Sequence, residues 1–155
     1  MKRSDFLKTM ATAAPAAAVL PGFSGLAETE KGKVRITDVK CMRVQMSSRG
    51  HVLPLVKIET DAGVYGIGEC HHDVTGLGAK DVVENAFKQI LVKQDPFDIA
   101  RLTEQMKFRV SYLGGNGGIG IHAVTGCEVA LWDLVGKLLG MPLRKILGGG
   151  CYTDK

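Results

Sequence analysis

Within the stretch YLGGNGGIGIH, Tyr112 to His122, residues 115–120 read GNGGIG and fit the dinucleotide fingerprint G-x-G-x-x-G. That chemistry needs a buried strand before the glycines and a helix N-terminus after them to meet a pyrophosphate. It also needs an acidic residue about 20 positions on to hold a ribose. A second cluster, Cys70-His71-His72-Asp73, places metal-ligating atoms in consecutive positions. Neighbouring side chains of an extended segment point to opposite sides, and no second ligand group stands at a suitable spacing, so no zinc site is expected. Four cysteines, Cys41, Cys70, Cys127 and Cys151, contain no C-x-x-C pair and read as isolated buried thiols, not as a disulfide framework. Asp133 and Lys137 stand four apart and can pair on a helix, whereas Lys80 and Lys88 read as surface charges.

The elements decide between these chemistries. Residues 34–46, VRITDVKCMRVQM, alternate as a half-buried strand with Ile36, Val39, Cys41 and Val44 as its apolar set. After the polar loop SSRGHVLP (Ser47–Pro54), the run LVKIETDAGVYGIGEC reads as a hairpin turning on Asp61-Ala62-Gly63. Gly66 and Gly68 in its second strand imply close packing or a bulge. Helical periodicity follows: Val82, Val83, Ala86, Phe87, Ile90 and Leu91 form one stripe, and Ile99, Leu102, Met106 and Val110 another, with Pro96 suited to the first turn of that second helix. A third helix, IHAVTGCEVALWDLVGKLLG, is apolar nearly all round, and Gly140 and Pro142 stop it. GNGGIG therefore follows a helix, lacks a parallel β-α-β unit, and does not read as a dinucleotide site. Its glycines are expected to let a loop pass close to another backbone. The expected class is α+β: a three-stranded antiparallel sheet followed by a helical bundle.

Composition narrows the partners. A 155-residue chain with 45% hydrophobic and 23% charged residues is an ordinary globular balance, and a net charge of +4 spread along the chain excludes a nucleic-acid footprint. Residues 1–27 combine a basic start (Lys2, Arg3, Lys8), an apolar run from Met10 to Leu20, and small residues Gly25 and Ala27 before a cut. They read as an export signal, too short in its apolar run for a membrane span. The pattern at Arg3, Phe6, Leu7 and Lys8 resembles a twin-arginine signal, degenerate because Ser4 replaces the second arginine. Export to the periplasm is expected, with a cytoplasmic protein as the alternative.

Two segments carry a resemblance. TDAGVYGIGE (Thr60–Glu69) and AVTGCEVALWDLVGKLLGMPLRKILGG (Ala123–Gly149), with DPFDIARL (Asp95–Leu102) between them, resemble the N-terminal capping domain of the enolase superfamily, mandelate racemase and muconate lactonizing branch. The similarity is greatest to acid-sugar dehydratases of the galactonate type. The resemblance divides the chain into a signal (1–27), a capping domain (34–122), and a signature helix with the start of a linker (123–155). It implies a (β/α) barrel, absent from this sequence, whose carboxylates bind Mg²⁺ and whose Lys or His bases remove a proton alpha to a carboxylate. The signature helix, so apolar, is expected to rely on that barrel for cover.

By the same resemblance, cap loops Ser47–Pro54 and Cys70–Gly78 close over a small carboxylate substrate, an acid sugar. Arg49 and His51 in the first loop, and His71 and His72 in the second, are the substrate-contact candidates. No catalytic residue and no metal ligand is expected in this chain, which alone is expected to be inactive. The complete enzyme would carry Mg²⁺ and assemble as a homo-oligomer. Racemase, epimerase or cycloisomerase chemistry shares the same cap and stays open, as does a stand-alone binding or assembly module.

Overall fold

The structure is a computed structural model that describes residues 32–45, 52–71, 76–112 and 117–149. Strands β1 (Ile36–Gln45), β2 (Val52–Thr60) and β3 (Tyr65–Glu69) form one antiparallel sheet in that order. Helices follow: α1 (residues 76–91), α2 (Ile99–Ser111), α3 (Gly118–Leu138) and the single turn α4 (Leu143–Ile146). The expected α+β layering is what the chain adopts.

One face of the sheet is buried under the helices and the other is open. Ile36, Val39 and Cys41 of β1 and Val56 and Ile58 of β2 lie in the core. The step from Ile36 to Val39 breaks strict alternation because the register slips between Ile36 and Asp38, a bulge that restores both residues to the inner face. Val44 does not follow the expected pattern. It lies beyond the bulge, out of phase with Cys41, and is exposed on the open face opposite Leu53. The β2–β3 turn falls at Asp61–Gly63 as expected, with Gly63 at a φ of 73° that a side chain would resist. Strand β2 also takes in Val52–Pro54, which the sequence had suggested as loop. Pro54 faces Arg43, and its carbonyl accepts the Cys70 N–H at 3.0 Å, at the end of the strand where the pairing with β3 runs out.

Helix α1 is not uniform, since Val82–Phe87 is π-helical between two α-helical pieces. Its wider turn changes the buried period to four, and Ala79, Val83, Phe87 and Leu91 are fully buried in one line. Val82, Ala86 and Ile90, expected on the same stripe, are displaced to its half-buried flank. In α2 the predicted stripe of Ile99, Leu102, Met106 and Val110 is buried throughout. Pro96 lies ahead of α2, not in its first turn. The Asp95 carboxylate accepts the Phe97 N–H at 2.9 Å, building a turn that closes with the Asp98 N–H on the Asp95 carbonyl.

Helix α3 starts at Gly118, before the residue where the sequence had suggested the signature helix begins, and has the length and hydropathy to cross a membrane. It is instead the central core helix. Ala123, Val124, Cys127, Ala130, Leu131, Leu134 and Val135 are buried against the sheet and α2. The expectation that a barrel must cover this segment is therefore corrected: the chain's own sheet and helices cover most of it, leaving Ile119 and Val129 exposed.

Candidate functional site

The contact of α3 with β3 is made by glycines. A Cβ on Gly66 would stand 2.0 Å from the Ala130 carbonyl oxygen, and one on Gly68 would stand 2.1 Å from that of Gly126. One on Gly126 would meet the Cys70 Sγ at 2.5 Å. Helix and strand thus touch backbone to backbone. Four helical residues advance about 6 Å and two strand residues about 6.6 Å, so the two elements stay in step. Leu134 lies at Gly66, Ala130 between Gly66 and Gly68, and Gly126 between Gly68 and Cys70. One turn further back is His122, whose ring stacks on that of His71, with centroids 4.4 Å apart and planes 12° from parallel.

The other end of this contact is tied by charge. Ile67 pairs with Lys57 across the ladder while its N–H points to the open edge of β3, where the Asp133 carboxylate accepts it at 2.8 Å. Lys137 donates to Asp133 at 2.5 Å and to the Tyr65 carbonyl at 3.0 Å. The signature A-L-W-D-x-x-G-K therefore satisfies the unpaired groups of an edge strand and closes it to other strands. Trp132 packs half-buried against the core, as an aromatic at a seam should.

Helix α1 is tied to β1 in the same manner, which corrects the surface-charge reading of two lysines. Lys80 donates to the Cys41 carbonyl at 3.1 Å and pairs with Glu84, whose carboxylate accepts the Cys41 N–H at 3.1 Å. Lys88 pairs with Asp38 at 2.5 Å. Lys88 above all, with Lys40 and the Val39 N–H, holds the Asp38 carboxyl down to about 2. Lys80 likewise lowers Glu84.

Cys41, Cys70 and Cys127 are buried free thiols. Cys41 and Cys70 are not isolated, because their side chains share a hydrogen bond that pushes Cys70 up, with burial acting in the same direction. Desolvation raises Cys127. Cys70 and Cys127 are consequently poor nucleophiles, whereas the same shared hydrogen bond lowers Cys41, which is shielded by its burial.

The sheet gathers its loops at one end. The pair Gln45↔Val52 closes β1 and β2 there, and the Cys70 N–H bond to Pro54 brings the exit of β3 alongside. His71 is exposed at this end, on His122. Arg49, His51 and His72 lie outside the described residues; of the four candidates the structure places His71, stacked on His122. His122 was not among the sequence candidates; its signal is its place four residues before Gly126, continuing the spacing that Gly66, Gly68 and Cys70 set on the strand. Its Nδ1 is buried without a hydrogen-bond partner. Glu69 is an exposed strand-end charge. Among the described residues no three His, Cys, Asp or Glu side chains are grouped to hold a metal ion. Among those residues, too, every strand pairing is antiparallel, so no dinucleotide fold forms around the glycines. Gly120 brings α3 close to α2, where its Cβ would stand 2.9 Å from that of Val110; the close approach is to a side chain rather than to backbone.

Residues 31–148 match the mandelate racemase / muconate lactonizing enzyme N-terminal domain family. The chain belongs to that family. Among curated relatives of this capping domain, the D-xylonate dehydratase of Haloferax volcanii is 36% identical over 125 residues, covering 81% of this chain and 29% of its own length. A D-galactonate dehydratase family member of Streptomyces sp. (strain SPB074) is 36% identical over 117 residues, covering 75% of this chain and 26% of its own. Among solved structures, the mandelate racemase/muconate lactonizing protein of Paracoccus denitrificans PD1222, crystallised with magnesium, superposes with a TM-score of 0.72 at 35% identity. That match covers 77% of this chain and 32% of the other. An enolase from Pantoea ananatis with bound D-gluconate and magnesium superposes at 0.64 with 30% identity, over 77% of this chain and 28% of that one. The capping domain thus spans about three tenths of the length of the proteins it matches.

Proposed function

We propose that this chain is the substrate-capping part of a Mg²⁺-dependent acid-sugar dehydratase. The observation that carries the reading is the similarity, at 36% identity over 125 residues, to a D-xylonate dehydratase. In such a reaction the proton alpha to the carboxylate is removed and the beta hydroxyl leaves with a proton as water, giving a 2-keto-3-deoxy acid after tautomerisation. Mg²⁺ would supply charge stabilisation at the substrate carboxylate. Its ligands are not assigned to this chain, whose described residues bring no suitable group together.

The residues described here bind and exclude. His71, raised on the His122 ring at the loop end, presents a hydrogen-bonding edge suited to the hydroxyls of a sugar acid, and the aromatic pair shields it from water on one side. We further infer that residues 1–27 direct export to the periplasm, from the basic start and the apolar run Met10–Leu20. Cell fractionation with N-terminal sequencing tests this, and protein with an intact Met1 confined to the cytoplasmic fraction would contradict it.

The catalytic reading is tested with a chimera in which this chain replaces the matching segment of the Haloferax volcanii enzyme. The isolated chain with Mg²⁺ should release no keto acid from D-xylonate, D-galactonate or D-gluconate, and the folded chimera should release it from at least one. A chimera that folds and binds Mg²⁺ yet dehydrates none of them would overturn the proposal.

A further inference from the structure

His71 stands just past the end of β3, directly after the buried Cys70, and is exposed. An exposed imidazole samples several rotamers, and a ligand that needs one of them bears the cost of excluding the others. In this fold the ring is placed before any ligand arrives. It lies face to face with His122, centroids 4.4 Å apart and planes 12° from parallel, near the short end of the range for stacked aromatic rings. Stacking takes up a face of the His71 ring and not its edge, where both nitrogens lie.

His122 in turn has a fixed place. It is half-buried in the second turn of α3, followed by the buried Ala123 and Val124. One turn on, Gly126 is seated against Cys70: a Cβ there would stand 2.5 Å from its Sγ and 3.1 Å from its backbone nitrogen. Two residues before His122, Gly120 meets Val110 of α2 just as closely. The helix around His122 is therefore pinned to the strand exit on one side and to α2 on the other. The Nδ1 of His122 is buried with no hydrogen-bond partner, so packing and not a hydrogen bond from that atom orients the ring. What it offers His71 is a flat surface at a set height.

We infer that His122 is a positioning residue for His71. The glycine seam fixes Cys70, the preceding turn of α3 fixes the ring on which the next residue lies, and the effect on a sugar acid runs through the His71 edge alone. This assignment rests on the proposed substrate contact of His71 and adds that the signature helix sets the geometry of that contact. A side chain held ready in this way spares the complex the ordering of a loose one.

Steady-state kinetics in the chimera with the Haloferax volcanii enzyme test it, with His71→Ala measured alongside. His122→Ala should raise KM for the sugar acid by about two- to tenfold, the cost of ordering one side chain on binding, while kcat stays within about threefold. His122→Phe keeps a ring and should restore KM. His122→Asn keeps a polar group without the ring and should not, so this pair decides the matter even where the alanine variant folds poorly. The double variant His71→Ala/His122→Ala should show the KM of His71→Ala, because the two side chains act as one unit. In the 155-residue chain, the NMR signals of the His71 ring should keep their ring-current shift in His122→Phe and lose it in His122→Asn. An unchanged KM in His71→Ala would refute the substrate reading and this inference with it. A raised KM there, with His122→Ala at the parent value, refutes the inference alone. Rescue by Asn and not by Phe, or alanine effects that multiply in the double variant, would overturn it as well.

Discussion

Replacing Gly68 by Ala adds one methyl group where no space exists. The new Cβ would lie 2.1 Å from the Gly126 carbonyl oxygen and 2.6 Å from the Ala130 nitrogen, both backbone atoms of a core helix that cannot rotate aside. Ordinary contact needs more than 3 Å, so α3 must withdraw from β3 by about 1 Å. A gap of that size forfeits a quarter to a half of the dispersion contact along the seam. Overpacking a rigid site costs about 3 kcal/mol, the upper part of its usual range. That is a large share of the 5–15 kcal/mol that holds a typical domain folded. In a domain of this size the loss lowers Tm by about 10–15 °C. Thermal and urea unfolding followed by circular dichroism measure it. Gly117→Ala is the matched control, because its position is open and its φ of −145° suits any residue. Should Gly68→Ala melt within a degree or two of the control, α3 is not seated on β3 and the account of the signature motif fails.

The other contacts give predictions of their own. Asp133→Ala removes the acceptor of the Ile67 N–H and the partner of Lys137; about 1–2 kcal/mol should be lost in urea unfolding, with faster exchange of the Ile67 amide. Asp38 has its pKa depressed to about 2, so its ion pair with Lys88 stabilises the fold above the ordinary carboxylate range and is lost as pH falls from about 4 towards 2. Asp38→Asn should flatten that part of the acid-denaturation curve, and a curve identical to the parent would contradict the pairing. Cys41, Cys70 and Cys127 should resist a thiol reagent in the native protein and react together on unfolding, because all three are buried, with Cys70 further held protonated by its hydrogen bond with Cys41 and Cys127 by desolvation. His122→Ala should shift the His71 ring protons downfield in the NMR spectrum by removing the ring current of the stacked partner.

The sequence made some of these contacts legible and hid others, for physical reasons. Apolar period alone located three strands and three long helices, because burial of one face leaves a direct trace at each position. Gly66 and Gly68 announced a close approach but not its partner, since nothing local says which backbone arrives. The π-turn at Val82–Phe87 shifts the buried line by about one residue, which is why Ala86 was placed in the core by pattern and lies on its flank. Val44, three residues on from Cys41 in an unbroken register, simply falls on the opposite face. The apolar α3 was read as needing cover from elsewhere. Periodicity shows that a helix is buried, not by what, and here the chain's own sheet supplies most of it. His71 was visible as a histidine in a loop, whereas His122 owes its role to a long-range pairing of helix turns with strand steps that a linear reading cannot display.

The central claim is that the His71 end of this cap faces the substrate of an acid-sugar dehydratase. It is tested most directly by the steady-state kinetics of His71→Ala in the chimera with the Haloferax volcanii enzyme. KM for the sugar acid should rise by about tenfold, the value of one hydrogen bond to a sugar hydroxyl, while kcat stays within about threefold. An unchanged KM in a folded, active chimera would show that this end of the sheet does not meet the substrate.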